Sequence, residues 1–294
     1  MSHPTDGQST IKHYFAATLA AAIAVLPMAY LGTAAWPLSI WLCFFGLAIY
    51  YQNHFAIGSL LLIGGLMLFM LTAIDMNGRS RRRPQCHNNM KKLALAVLNY
   101  ESAHGRFPPP YIPDDNGMPM HSWRVLVLPF VEETALYERY DFTKPWNHPD
   151  NLKLADEMPT VFSCPTCQSP HANYTTSYVA IVGDKTLWPT NGTTRAKDVS
   201  DGLYSTLMLI ESEAARTHWM APHDLRFSEI VPTTATGRTM VVDTGHQDVA
   251  TAAFANGGIH TLHGDHSAEM LKALSTKAGR EFIDWDEFYD PPER

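Results

Sequence analysis

The sequence predicts an α+β protein: N-terminal transmembrane helices followed by a head with one long helix and an antiparallel β-sheet. Three observations predict it. Charge is scarce at one end: residues 1–76 hold one base, Lys12, and two acids, Asp6 and Asp75, while the rest of the 294-residue chain holds 21 bases and 27 acids. A long stretch with a helical apolar period follows. Short β-branched or alternating segments, set apart by Gly, Pro, Asn and Asp, come last. Helix first and antiparallel sheet later is an α+β order.

The charge-poor end divides into three apolar runs, Tyr14 to Leu31, Trp36 to Tyr51 and Phe55 to Ile74. About 20 apolar residues are needed to cross the ~30 Å hydrocarbon core of a bilayer. The third run meets that length with no charge inside, and the first also qualifies. The second is shorter, but Trp36, Tyr50 and Tyr51 suit the two interfaces. Three spans with turns at 32–35 and 52–54 are expected, or two with the middle run in the interface. The lipid bilayer is therefore the first expected partner. Arg79, Arg81, Arg82, Arg83, Lys91 and Lys92 follow the third run, where the positive-inside tendency would favour the cytoplasm. The expected organisation is a short polar N-terminus (1–13), a membrane segment (14–75), an α+β head (76–278) and an acidic–aromatic tail (279–294).

In the head, Pro84 is expected to restart a helix. Cys86, Met90, Leu93, Val97 and Tyr100 fall on one apolar stripe, with Asn88, Asn89, Lys91, Lys92 and Glu101 pointing elsewhere. Gly105 and the Pro108-Pro109-Pro110 run stop it. Residues 106–121 read as a loop, Ser122 to Tyr140 as an amphipathic stretch broken at Pro129, and Asn151 to Met158 as a short helix. Strands are expected at Thr176 to Val182, Thr206 to Ile210, Thr239 to Asp243, Val249 to Ala255 and Gly258 to Leu262. The last two form a hairpin on Asn256-Gly257, a favoured two-residue turn. Ser267 should cap a final helix running to Lys277.

A net charge of −7 without a basic face excludes a nucleic-acid platform, and four cysteines are too few for a disulfide scaffold. No Gly-x-Ser-x-Gly elbow, P-loop or dinucleotide fingerprint is present. Two constellations could carry chemistry. Cys164-Pro165-Thr166-Cys167 is a C-x-x-C without the second pair of a zinc ribbon or the following helix of a thioredoxin-like site. His246, His260, His263 and His266 crowd the end of the head beside Asp243 and Asp265 as candidate metal ligands. Their spacing is not the helical i, i+4 pair of a zinc protease. Turn and surface roles are the plainer reading, and no cofactor is expected. Asp201-Gly202 reads as a turn.

Several segments in order carry a resemblance. They are Gln85-Cys86-His87-Asn88-Asn89-Met90-Lys91-Lys92, Asn99 to Pro108, Ser122 to Phe130, Pro145-Trp146, Phe162-Ser163-Cys164-Pro165, Thr176 to Ala180 and Val199 to Gly202. His246, nine residues, then Asn256-Gly257 resembles a closing His-x9-Asp-Gly signature, with Asn in place of Asp. Together they resemble the bacterial domain of unknown function 1559 family across roughly residues 79–278. The resemblance implies a pilin- or pseudopilin-like, extracytoplasmic α+β head with no enzymatic activity attached. The several expected spans depart from the single pilin helix.

The arginines match the family's own basic stretch, which tilts the expected orientation toward an outside head. Cys86 and Cys164 match the family's first and second cysteines, which implies a Cys86–Cys164 disulfide, with Cys167 as Cys86's rival partner. Such a bond closes a loop of nearly eighty residues, worth ~4.5 kcal/mol in the chain-entropy account, and needs an oxidising compartment. The expectation is thus a membrane-anchored, non-enzymatic structural or interaction protein of the bacterial cell envelope, with envelope protein partners. The alternative is a metal- or thiol-dependent envelope enzyme using the His246–His266 region or Cys164 and Cys167.

Overall fold

In the computed structural model, residues 55–164, 174–231, 249–263, 266–285 and Phe288 are described. The chain divides into two compact units, Met1–Arg81 and Arg82–Arg294. The apolar runs Tyr14 to Leu31 and Trp36 to Tyr51 lie outside the described residues, as do Cys167, His246 and the expected strand Thr239 to Asp243.

The N-terminal expectation needs correction. Among the described residues no helix is long and apolar enough to cross a membrane. Phe55 to Ile74 is not a separate element bounded by turns. It is the start of one 50-residue helix, α1 (Phe55–His104), which runs on through Asp75, the arginines and Pro84. Pro84 therefore does not restart the helix but sits inside it, at the cost of one i→i−4 hydrogen bond. The end of α1 is as the residues predict. Gly105 takes φ +70°, free of the penalty a Cβ brings there, and its N–H donates to the Glu101 carbonyl at 2.7 Å.

After α1 come a small hairpin, β1 (Tyr111–Pro113) with β2 (Pro119–Ser122), and a single helical turn, α2 (Trp123–Leu126). The Ser122 hydroxyl caps α2 by accepting from Arg124 N–H. Two further short helices follow, α3 (Thr134–Arg139) and α4 (Pro149–Leu152). The expected strand Thr176 to Val182 is split into β3 (Thr175–Thr176), β4 (Tyr178–Val179) and β5 (Ile181–Val182), each paired with a different neighbour. Then come β6 (Leu207–Glu211), β7 (Thr217–His218), β8 (Leu225–Arg226), β9 (Val249–Phe254) and β10 (Ile259–His263). A last helix, α5 (Ala268–Ser275), ends two residues before the expected Lys277, and the Ser267 hydroxyl caps it by accepting from Met270 N–H at 3.1 Å.

The main sheet is antiparallel in the order β10-β9-β6-β4. Its two faces separate two cores. On one face the α1 stripe (Cys86, Met90, Leu93, Val97) packs with Trp123, Trp188, Trp219, Phe162 and the sheet residues Tyr178, Leu209 and Ala253. On the other, Leu271 and Leu274 of α5 pack with Val179, Ile210, Ala252, Phe254 and Phe288. Neighbouring strand residues divide between the two cores as the period of two requires.

The β9–β10 turn differs from the expected two-residue type. Phe254 N–H donates to Gly258 O and Gly257 N–H to Phe254 O, so the loop is Ala255-Asn256-Gly257. Only Gly257 has positive φ, at +86°, whereas a type I′ turn needs it at both central residues. This is the three-residue hairpin loop in which a left-handed glycine follows a type I turn. A Cβ on Gly257 would lie 2.9 Å from Leu98 Cδ1, so the loop is seated against α1.

Candidate functional site

Where the α1 stripe meets the sheet, three potentially reactive side chains come together. Cys86 is fully buried on α1, Cys164 follows a short 3-10 turn (Thr160–Phe162) at 5% exposure, and Glu211 ends β6 at 0%. The two sulfurs are 2.9 Å apart, and the Cys164 thiol donates to Glu211 Oε1 at 2.8 Å. The Tyr178 ring belongs to the same core, and Tyr178 pairs across the strands with Glu211. Burial, then the nearby Glu211 carboxyl and the two thiols, push the Tyr178 phenol far above its usual range, so it stays protonated.

Local folding explains the convergence. Cys86 stands one turn before Met90 on the stripe that the core demands. Asn89 was expected to point away; it is buried instead, and its amide donates to the carbonyls of Ser163 (2.9 Å) and Thr160 (3.4 Å). That clamp fixes the segment carrying Cys164 against α1. An apolar-period count assigns a polar residue to the outside, so this one escaped notice. Its only sequence signal is its place beside the stripe.

The expected disulfide is not formed: the 2.9 Å between the two sulfurs exceeds the ~2.05 Å of an S–S bond. Cys86, Cys164 and Glu211 are also the described His, Cys, Asp and Glu side chains that could share a metal ion. Thiolates bound to one tetrahedral zinc at 2.3 Å stand about 3.8 Å apart. The observed spacing is tighter than that.

The histidines are placed differently. His260 lies against the Phe254 and Phe288 rings, with its pKa lowered by burial. His266 Nδ1 accepts from the His263 N–H at 3.0 Å, and its Nε2 meets the Phe288 carbonyl at 3.1 Å. Both nitrogens of His266 are thus engaged by backbone, and its ring stacks on His263. Asn256 and Gly257 of the signature shape the hairpin loop, where Asn256 Oδ1 accepts from Gly258 N–H at 2.8 Å. Sites that sequence reading passed over are structural braces. Arg124, 0% exposed, pairs with Asp224 at 2.6 Å and donates to the Tyr178 carbonyl at 3.0 Å. Asp224 also accepts from Trp123 Nε1 and Ala180 N–H. The Asp201 carboxylate accepts from the N–H groups of Gly279 (2.7 Å) and Arg280 (3.0 Å), which ties down the start of the tail.

Residues 78–190 match the family model described as "Protein of unknown function (DUF1559)". No curated protein and no solved structure gives a significant match to the chain. The matched stretch contains Cys86, Arg124, Cys164 and Tyr178 and stops short of Glu211 and Asp224.

Proposed function

We propose a function from one premise: the chain carries, in residues 78–190, a domain of the DUF1559 family. On that premise the protein is a non-enzymatic structural or interaction component of the cell envelope, its head outside the cytoplasm. One observation carries the reading. Among the described residues, several buried ionisable groups are spent on holding segments together: Arg124 with Asp224, His121 with Tyr140 and Phe142, and His266 with the backbone of His263 and Phe288. A catalytic centre instead directs perturbed groups at a place a substrate can reach. The thiols support the same reading. Reactive cysteines sit partly exposed near positive charge, whereas Cys86 and Cys164 lie inside the core beside a carboxyl.

In-cell photo-crosslinking tests it, with the crosslinking residue placed at Met118, which is 64% exposed, and a control at Lys153. A discrete adduct from Met118 alone, recovered in the envelope fraction, is the expected result. Recovery of the chain in the cytosolic fraction with no adduct from either position would contradict it.

A further inference from the structure

The two outer edges of the main sheet, β4 and β10, are finished differently. At β4 the outward main-chain groups are taken. Tyr178 N–H donates to Thr176 Oγ1 and its carbonyl accepts from Arg124; Ala180 N–H donates to Asp224 and its carbonyl accepts from Leu225 N–H. At β10 they are not. Phe254 N–H donates to Gly258 O, so in the β9–β10 register Gly258, His260 and Leu262 turn their N–H and C=O groups to β9, and Ile259, Thr261 and His263 turn theirs outward. The His263 N–H is spent on His266 Nδ1 at 3.0 Å. Among the described residues, no hydrogen bond reaches the N–H or C=O of Ile259 or Thr261, and both residues are only half-buried. The strand also lacks the devices that guard an edge. Ile259–His263 contains no Lys, Arg, Asp, Glu or Pro, and its pairing with β9 has no bulge.

We infer that β10 pairs with β10 of a second copy of this chain, antiparallel, about a twofold axis at His260. Another extended strand is the cover such an edge demands, because it offers donors and acceptors in step with the open ones. The open stretch selects its own copy. Centring the pair on His260 sets Ile259 opposite Thr261 of the second copy and Thr261 opposite its Ile259, so every open N–H meets an open C=O. Centring it on Thr261 would bring in His263, whose N–H is already engaged by His266. With no Lys, Arg, Asp or Glu on the strand, like charges do not meet across the axis, and Ile259 against Thr261 is a β-branched pair that suits cross-strand neighbours. Both copies use the same patch, as a closed twofold dimer requires, and two four-stranded sheets join into one of eight. The inference does not depend on where in the cell the head lies.

Sedimentation velocity of the purified full chain over a broad concentration range tests the pairing. The expected result is a monomer–dimer equilibrium that Thr261→Pro weakens about tenfold or more, because proline removes an outward N–H and leaves the β9 ladder intact. Thr261→Val keeps that N–H and should dimerise as the parent does. In His260→Cys, mild oxidation should link two copies through the substituted position, since opposed residues of a non-hydrogen-bonded pair stand about 4.5 Å apart at Cα, within disulfide reach. Peptide mapping under non-reducing conditions reads that link, which keeps the test decisive should the proline variant fold poorly. A monomer at every concentration would overturn the proposal and leave the edge to a strand of another protein. A dimer that persists in well-folded Thr261→Pro, or no link between the substituted positions in folded His260→Cys, would overturn it as well.

Discussion

Arg124 and Asp224 show how much of the head rests on single buried side chains. The carboxyl of Asp224 is pushed up by burial, while Arg124, Ala180 N–H and Trp123 act to hold it ionised. Taking the guanidinium away leaves a carboxylate in the core with its main partner gone. Such losses cost about 3–5 kcal/mol, far more than changes at exposed pairs. Arg124→Met should therefore lower unfolding stability by about that amount in urea titration. Arg139→Ala, which breaks a solvent-exposed pair with Glu157, should change it little. Asp201 makes a second residue-scale case. Asp201→Ala removes the acceptor for Gly279 and Arg280, and faster proteolysis of the chain beyond Lys277 is the expected result. Neither role was legible in the sequence. Arg124 stood inside a quoted motif, but its partner is 100 positions away, and Asp201-Gly202 read as a turn because nothing local points to residues 276–280.

Elements with a strong period were read well. The stripe Cys86, Met90, Leu93 and Val97 is buried as its spacing requires, and the β9–β10 hairpin and the Ser267 cap stand where turn and cap chemistry put them. Leu93→Ala should cost about 2–5 kcal/mol through the cavity it leaves. Gly257→Val should destabilise through both its positive φ and the closeness of Leu98, and thermal unfolding would read either change. Elements were misread where local signals compete with longer-range pairing. Pro84 looks like a break, yet α1 carries through it. Thr176 to Val182 looks like one strand, yet its three short pieces pair with β7, β6 and β8 in turn. The hairpin loop was misjudged by one residue because Asn-Gly also fits a type I turn that ends on a left-handed glycine.

At the scale of the molecule, the order helix-then-sheet was legible and the sandwiching of one sheet between two cores was not. The spanning helices expected at the N-terminus fail among the described residues, since an apolar run by itself does not say where its helix stops. The whole fold also has a pH signature. Burial lowers the pKa of His121, His218 and His260 below the ordinary 6.5. The unfolded chain then takes up protons before the folded one does. Their contribution is fully present above about pH 6.5 and is lost as pH falls toward the folded values. The exposed carboxylates act only at lower pH: hydrogen bonds from Thr143 and then Lys144 hold Asp141 at about 2. Urea midpoints should thus drop between about pH 7 and pH 5. His121→Gln should reduce the slope, because His121 Nδ1 faces the Tyr140 hydroxyl and Nε2 the Phe142 carbonyl.

The most direct measurement of the central claim, an envelope head braced from inside, is fractionation combined with protease treatment of intact cells whose outer layer has been permeabilised. The chain should be recovered in the envelope fraction and its head should be cut by the added protease, faster in Arg124→Met, which loses the brace to Asp224. Recovery of the chain in the cytosolic fraction, protected from protease until the cells are lysed, would contradict the account.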